Sequence, residues 1–329
     1  GEINQNESSF LVSKDLNKPA VTHSFVDWSF VKKTQLTKYI ARFEFSNPTL
    51  KIKNDMKGVS WIGKHFYIAK DLVKGPVRPY TTCLSLGDAW INFRKKTVEY
   101  FDAKMSDKEE VVPIEPLQPL SDTITFVIKQ YHNPKALALS KFMHTDLDES
   151  KSILMNGPVG TGLELSTDSK GIHYIFAMGT GVLPFIDLLN FILFKSMYLA
   201  LKQKHGSKIA QQIDFHGADY ERSLSNNFKL VLYTAFAPGE ENIGYDIIKK
   251  AAEINAKYNL DLFEAHVKGV EEDPYVKKIA KHIDGQFIRE RVNKEASKVY
   301  ICGSPAFNQN VPNHLQNMGV DPLKIMLVQ

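Results

Sequence analysis

At 329 residues, with 43% hydrophobic and 24% charged content, the chain has the balance of a soluble globular protein and length enough for two domains of ordinary size. A formal net charge of +4 is too small to argue for a nucleic-acid partner, and two cysteines, Cys83 and Cys302, exclude a disulfide scaffold or a cysteine-rich metal site. The ten histidines show no metal-ligand spacing, and neither GxSxG nor GxxxxGK[ST] occurs, which weakens the metal, hydrolase and P-loop readings.

Residues 1–20 are polar and aperiodic and read as a flexible tail. Gly1 is not an initiator methionine, so the start reads as processed or trimmed, with a removed targeting or anchoring segment left open. From 21 to 86, short β-like runs at 39–45, 61–69 and 77–84 alternate with turn residues, as in an antiparallel sheet or small barrel. A further strand is expected at 123–131. The intervening 87–122, with its charge-dense 104–110 and the evenly spaced Pro113, Pro116 and Pro119, reads as a surface insertion.

From about 152 the pattern becomes strand then helix. Strands are expected at 172–178, 213–216, 229–235, 298–302 and 324–328, and helices at 183–204, 245–258, 274–282 and 306–317. Such alternation favours a parallel sheet with helices on both faces, and ligands then lie off the carboxyl ends of the strands. Within 183–201, Asp187, Asn190 and Lys195 interrupt the apolar run, so a packed helix is expected there rather than a membrane span. The run 172–178 leads into Gly179-Thr180-Gly181 and then Pro184. This is a strand, a glycine turn and a helix start, suited to a dinucleotide because glycines allow close approach and helix N-termini offer free N–H groups.

These pieces resemble the ferredoxin–NADP reductase superfamily, and most nearly its cytochrome b5 reductase branch. Arg78-Pro79-Tyr80-Thr81 resembles the RxY[ST] flavin signature, and Gly63-Lys64-His65 the Gly-x-His turn before it. Lys129 and Tyr131 resemble the VIKxY strand, and Gly157-Pro158-Val159-Gly160 the GPxG turn into the second domain. Gly179 to Pro184 resembles the GTGxxP nicotinamide loop, and Cys302-Gly303-Ser304-Pro305 the CGxP loop. The resemblance implies an FAD-binding antiparallel β-barrel over 21–150, with the insertion 87–122. It implies an NAD(P)-binding α/β domain over 151–329, with a second insertion at 239–284. Arg78 would pair with an FAD phosphate, Tyr80 and Thr81 would meet the isoalloxazine, and Cys302 would contact the nicotinamide.

Departures accompany the likeness. The pyrophosphate motif Gly-x-x-Ser stands here as Leu137-Ala138-Leu139-Ser140, of which Ser140 alone matches. Leu183 replaces the usual threonine, and the chain ends without an aromatic residue. Arg222, with Lys229 as a helper, takes the place that resembles the acidic NADH-selecting residue. An arginine there would meet a 2′-phosphate, or mark an adenosine pocket no longer selected for use.

The leading expectation is a flavoprotein that passes a hydride from NAD(P)H to FAD and then electrons to a haem protein or similar acceptor. An accessory, nucleotide-binding subunit of a larger, possibly respiratory complex is the alternative, and an unrelated nucleotide-binding enzyme a third. A mitochondrial or cytoplasmic membrane-associated location goes with these readings. The apolar stripe Ile247, Ile248, Ala251 and Ile254 in the second insertion is expected to bury against its own domain or a partner chain.

Overall fold

The structure, a computed structural model, describes residues 10–15, 24–131, 138–214, 217–237 and 242–328. The chain divides into two compact units, Gly1–Leu165 with Gln211–Asp219, and Ser166–Ala210 with Tyr220–Gln329.

The first unit is mostly β. Its strands are β1 (Leu11–Ser13), β2 (Val26–Gln35), β3 (Ile40–Ser46), β4 (Leu50–Lys53), β5 (His65–Ala69), β6 (Val77–Thr81), β7 (Leu120–Ser121), β8 (Thr123–Lys129) and β9 (Ser152–Val159). Two helices interrupt them, α1 (Asp88–Met105) and α2 (Ala138–Thr145). Six strands form one antiparallel sheet in the order β6-β5-β9-β2-β3-β8. Just beyond β6, the Cys83 N–H donates to Thr125 O of β8 at 3.0 Å, bringing the two edges of that sheet together as in a barrel. Inside lie Trp28, Phe43, Phe45, Phe66 and Phe126, all fully buried. β9 pairs with both β5 and β2, which is why the first unit continues past residue 150 to Leu165.

Two expectations change here. The tail contains structure, because Phe10 and Leu11 are buried in the barrel core and β1 pairs with β4; the rest of 1–20, residues 1–9 and 16–20, lies outside the described residues. The segment 87–122 is no mere decoration. Its first half is the 18-residue α1, which buries Phe93, Thr97, Tyr100 and Phe101 at helical spacing. The start of that helix covers the outer face of β3. Arg42 there donates to Leu86 O at 3.0 Å and to Asp88 Oδ1 at 2.5 Å.

The second unit is α/β. It contains β10 (Gly171–Met178), α3 (Ile186–His205), α4 (Ser207–Ala210), β11 (Phe228–Ala235), α5 (Tyr245–Tyr258), β12 (Phe263–Lys268), β13 (Lys277–Lys278), α6 (Gly285–Arg291), β14 (Lys298–Cys302), α7 (Pro305–Asn317) and β15 (Ile325–Leu327). The six strands are parallel, in the order β13-β12-β11-β10-β14-β15. The chain works outward from β10 on one side and then returns to build β14 and β15 on the other. The direction of winding therefore reverses between β10 and β14, and ligands bind at such switch points.

The helix region Gly179–His205 is long and apolar enough to cross a membrane, with mean hydropathy 1.5, yet 89% of that window is buried within the protein. It packs against α5. Polar groups on these elements answer one another: Asn255 donates to Ser196 Oγ at 2.9 Å, and its Oδ1 accepts from the Leu262 and Phe263 N–H groups.

The segment expected as a second insertion, 239–284, holds α5, β12 and β13 among its described residues, and these strands continue the parallel sheet. Ile247, Ile248, Ala251 and Ile254 are all buried in their own unit. No strand forms at 211–214, where the chain turns, and 215–216 lie outside the described residues. The helix expected at 274–282 is replaced by β13, with α6 following it.

Candidate functional site

At the switch point two loops meet. β10 and β14 run in register with Ala177 opposite Cys302, so the turns that follow them leave the sheet side by side. Gly179 has φ +57°, a left-handed conformation that glycine adopts without strain, and open space lies where a Cβ would stand. Gly181 is pressed so closely against β14 that a Cβ would sit 2.1 Å from Cys302 O. Only glycine allows that approach. Residues Gly179–Phe185 form a tight 3-10 turn holding Pro184, and α3 follows directly.

The opposing loop is held by its own helix. Ser304 Oγ accepts the Phe307 N–H at 3.2 Å and caps α7, with Pro305 at its first turn. Asn308 donates from Nδ2 to Gly303 O at 3.0 Å, and its Oδ1 is buried without a partner. Gly303 packs where a Cβ would meet Phe307 and Met178. The Cys302 thiol is half-buried, and burial pushes its pKa up to about 11. It is a neutral thiol at physiological pH, a packing surface rather than a nucleophile.

In the first unit, β6 carries Arg78, Pro79, Tyr80 and Thr81 opposite Ile68, Tyr67, Phe66 and His65 of β5. Strand alternation places Arg78 and Tyr80 on one face. Arg78 is exposed and has no ion-pair partner among the described residues. Tyr80 packs against the barrel core, and its pKa rises to about 12, through burial first and the nearby Tyr131 second. Tyr131 in turn lies under the Lys129 ammonium, 5.9 Å from the ring centre. Lys129 and Tyr131 are therefore near neighbours of the β6 tetrapeptide.

Ser140, in the first turn of α2, is buried and its hydroxyl has no hydrogen-bond partner among the described residues. An orphaned hydroxyl at a helix start fits a phosphate oxygen. Of the four residues expected around it, Leu137 lies outside the described residues, so the full motif is not seen. Gly157 and Gly160 have nearer reasons to be glycine. A Cβ on Gly157 would meet the Phe66 ring at 2.7 Å, and one on Gly160 would meet His65 Cε1 at 3.0 Å. They close the end of β9 onto β5.

Arg222 does not stand where the sequence places it. The second strand of the sheet is β11, and Arg222 precedes it, at the amino ends of the strands. Lys229, at the start of β11, is paired with Asp261 at 2.8 Å. Neither reaches the carboxyl edge, where Phe236 and Ala237 follow β11 and 238–241 lie outside the described residues. Asn308 and the Ser304 cap are the parts that sequence reasoning missed. Serine followed by proline at a helix start was their available signal. Among the described residues no group of three or more His, Cys, Asp or Glu is placed to hold a metal ion.

Solved structures resemble the chain in fold over more than nine-tenths of its length. The CS-b5R domains of human Ncb5or, in the NAD+ form, match with a TM-score of 0.57 and 17% identity over 93% of this chain and 69% of that one. The cytochrome b5 reductase domain of Ulva prolifera nitrate reductase matches at 0.54 and 14%, over 94% and 99%. A ferredoxin NADP+ reductase from Neisseria gonorrhoeae with bound FAD and NADP matches at 0.50 and 15%, over 92% and 98%. The fold is that of the ferredoxin–NADP reductase superfamily. No protein-family model and no curated protein matches the sequence itself. At these identities the ferredoxin–NADP reductase likeness is one of fold.

Proposed function

We propose that the chain is an FAD-dependent NAD(P)H oxidoreductase that delivers electrons to a haem protein or similar acceptor. The observation that carries this is the contact of Gly181 with Cys302 at the switch point, where two glycine-bearing loops leave the carboxyl ends of adjacent strands. Bound FAD would supply the redox chemistry, taking a hydride from NAD(P)H and releasing electrons singly.

The chain's own residues bind and orient. Exposed Arg78 offers a planar guanidinium to a phosphate, and the Ser140 hydroxyl a hydrogen-bonding group at the start of α2. Tyr80 presents a ring and a neutral hydroxyl, and Thr81 a hydroxyl beside it. The turn at Gly179 and Gly181 admits a flat ring closely, and the Cys302 thiol packs there without ionising. Holding two reactants in contact geometry accounts for much of the rate such a site must provide.

An accessory subunit with little turnover is the second reading. It is favoured by Leu183 within the turn that follows β10. The visible absorption spectrum of the purified protein, before and after NADH or NADPH, separates the two. Flavin bands that bleach on addition support the reductase; flavin bands that stay support the accessory subunit, and a colourless protein overturns the flavin reading.

A further inference from the structure

The stretch between α1 and β7 has an unusual burial pattern. Val111 and Ile114 are half-buried and Leu117 is buried, while Val112, Pro113, Glu115, Pro116, Gln118 and Pro119 are exposed. The inward residues recur every third position, without helix or strand. A three-residue repeat in an extended, proline-spaced chain is that of polyproline II, in which side chains project along three edges. One edge (Val111, Ile114, Leu117) lies against the protein; the other two face solvent. Its far end is fastened by Asn54, whose Nδ2 donates to Gln118 O at 3.0 Å and whose N–H donates to Pro119 O at 2.8 Å.

The register matters. Grooves lined by aromatic residues read such a helix through successive x-Pro pairs and leave the intervening residue pointing away. Here the x-Pro pairs are Val112-Pro113, Glu115-Pro116 and Gln118-Pro119, and they are the exposed residues; the intervening Ile114 and Leu117 face inward. The protein thus holds the ligand helix by the one edge a reader does not use. Along residues 106–119 the exposed charge is acidic, with Asp107, Glu109, Glu110 and Glu115 against Lys108.

We propose that residues 111–119 are a preformed polyproline II ligand for a partner domain of the SH3 kind, one whose aromatic groove has a basic rim. Preorganisation removes the ordering cost that a free peptide would meet on binding. The segment shares no residue with the proposed nucleotide contacts, so it serves recruitment rather than catalysis.

The test uses the full chain and a panel of purified SH3 domains with basic or acidic groove rims, titrated calorimetrically. Saturable binding by basic-rimmed domains is expected, weakened by added salt. The double variant Pro113→Ala/Pro116→Ala should bind at least tenfold more weakly with an unchanged thermal melt, and Glu115→Lys should weaken binding with every proline in place. No binding across the panel, binding confined to acidic-rimmed domains, or equal binding by the double variant overturns the proposal.

Discussion

His173 shows how a single side chain couples burial to pH. It sits near the amino end of β10, with its ring 4.6 Å from that of Phe228 and 6.2 Å from that of Tyr300. Its Nε2 lies 3.2 Å from Lys170 O and so donates there, while Nδ1 is buried with no partner. Protonating Nδ1 would create a buried N–H with nothing to accept it. Burial accordingly lowers the pKa to about 4, with Lys298 adding to the effect. Because the folded pKa lies below the unfolded one, the unfolded chain binds the extra proton first. Stability is then full above about pH 6.5 and falls as pH drops towards 4, by up to about 3 kcal/mol. Denaturant midpoints from pH 4 to 7 should show this slope, and His173→Phe should flatten it. Arg78 gives a second prediction at this scale. If Arg78 holds a flavin phosphate as proposed, Arg78→Ala removes a charge-assisted contact of roughly 1.5–3 kcal/mol, so flavin should be held about ten- to a hundredfold more weakly in equilibrium dialysis. The resemblance of Arg78-Pro79-Tyr80-Thr81 and Cys302-Gly303-Ser304-Pro305 to family motifs pointed to Arg78, Tyr80 and Cys302. The resemblance misled at Arg222, because which end of a strand a residue occupies depends on where that strand begins, and β11 starts only at Phe228.

At the scale of elements, the loops after β10 and β14 press closely together at Gly181. Gly181→Ala would drive a Cβ into Cys302 O, and both partners there are backbone, so the loops must part. A stability loss of about 1–3 kcal/mol is expected, with turnover reduced at least tenfold while the flavin spectrum stays unchanged. The stripe on α5 behaves as ordinary core. Ile248 is fully buried, and Ile248→Ala should cost about 2–5 kcal/mol in chemical denaturation. Elements with a strong pattern were legible. The apolar runs at 172–178 and 298–302 became β10 and β14, and the helical spacing at 245–258 became α5. β12, whose burial alternates along Phe263–Lys268, was hidden because its region had been assigned to an insertion. α1 was hidden by its charge, because long polar side chains mask a narrow apolar stripe. β9 was missed because Gly157 and Pro158 read as a turn, while the strand runs through them to Val159.

For the whole molecule, the barrel of the first unit and the parallel sheet of the second each bury their own aromatic core. Stability on heating should therefore respond to each nucleotide separately. A ligand that binds the folded state alone stabilises it by RT ln(1 + [L]/Kd), about 2.7 kcal/mol at a hundredfold excess over Kd. FAD at that excess should raise the apparent melting temperature by several degrees if the Arg78–Thr81 strand and Ser140 bind it as proposed. The rise should shrink sharply in Arg78→Ala and survive in Gly181→Ala, which disturbs only the loops after β10 and β14. NADH or NADPH should add a further shift that shows the opposite dependence, lost in Gly181→Ala and kept in Arg78→Ala. This double dissociation distinguishes two built sites from a fold that has kept its shape without its ligands. In the latter case neither nucleotide would move the melt, and the two variants would differ from the parent only by their own cost in stability.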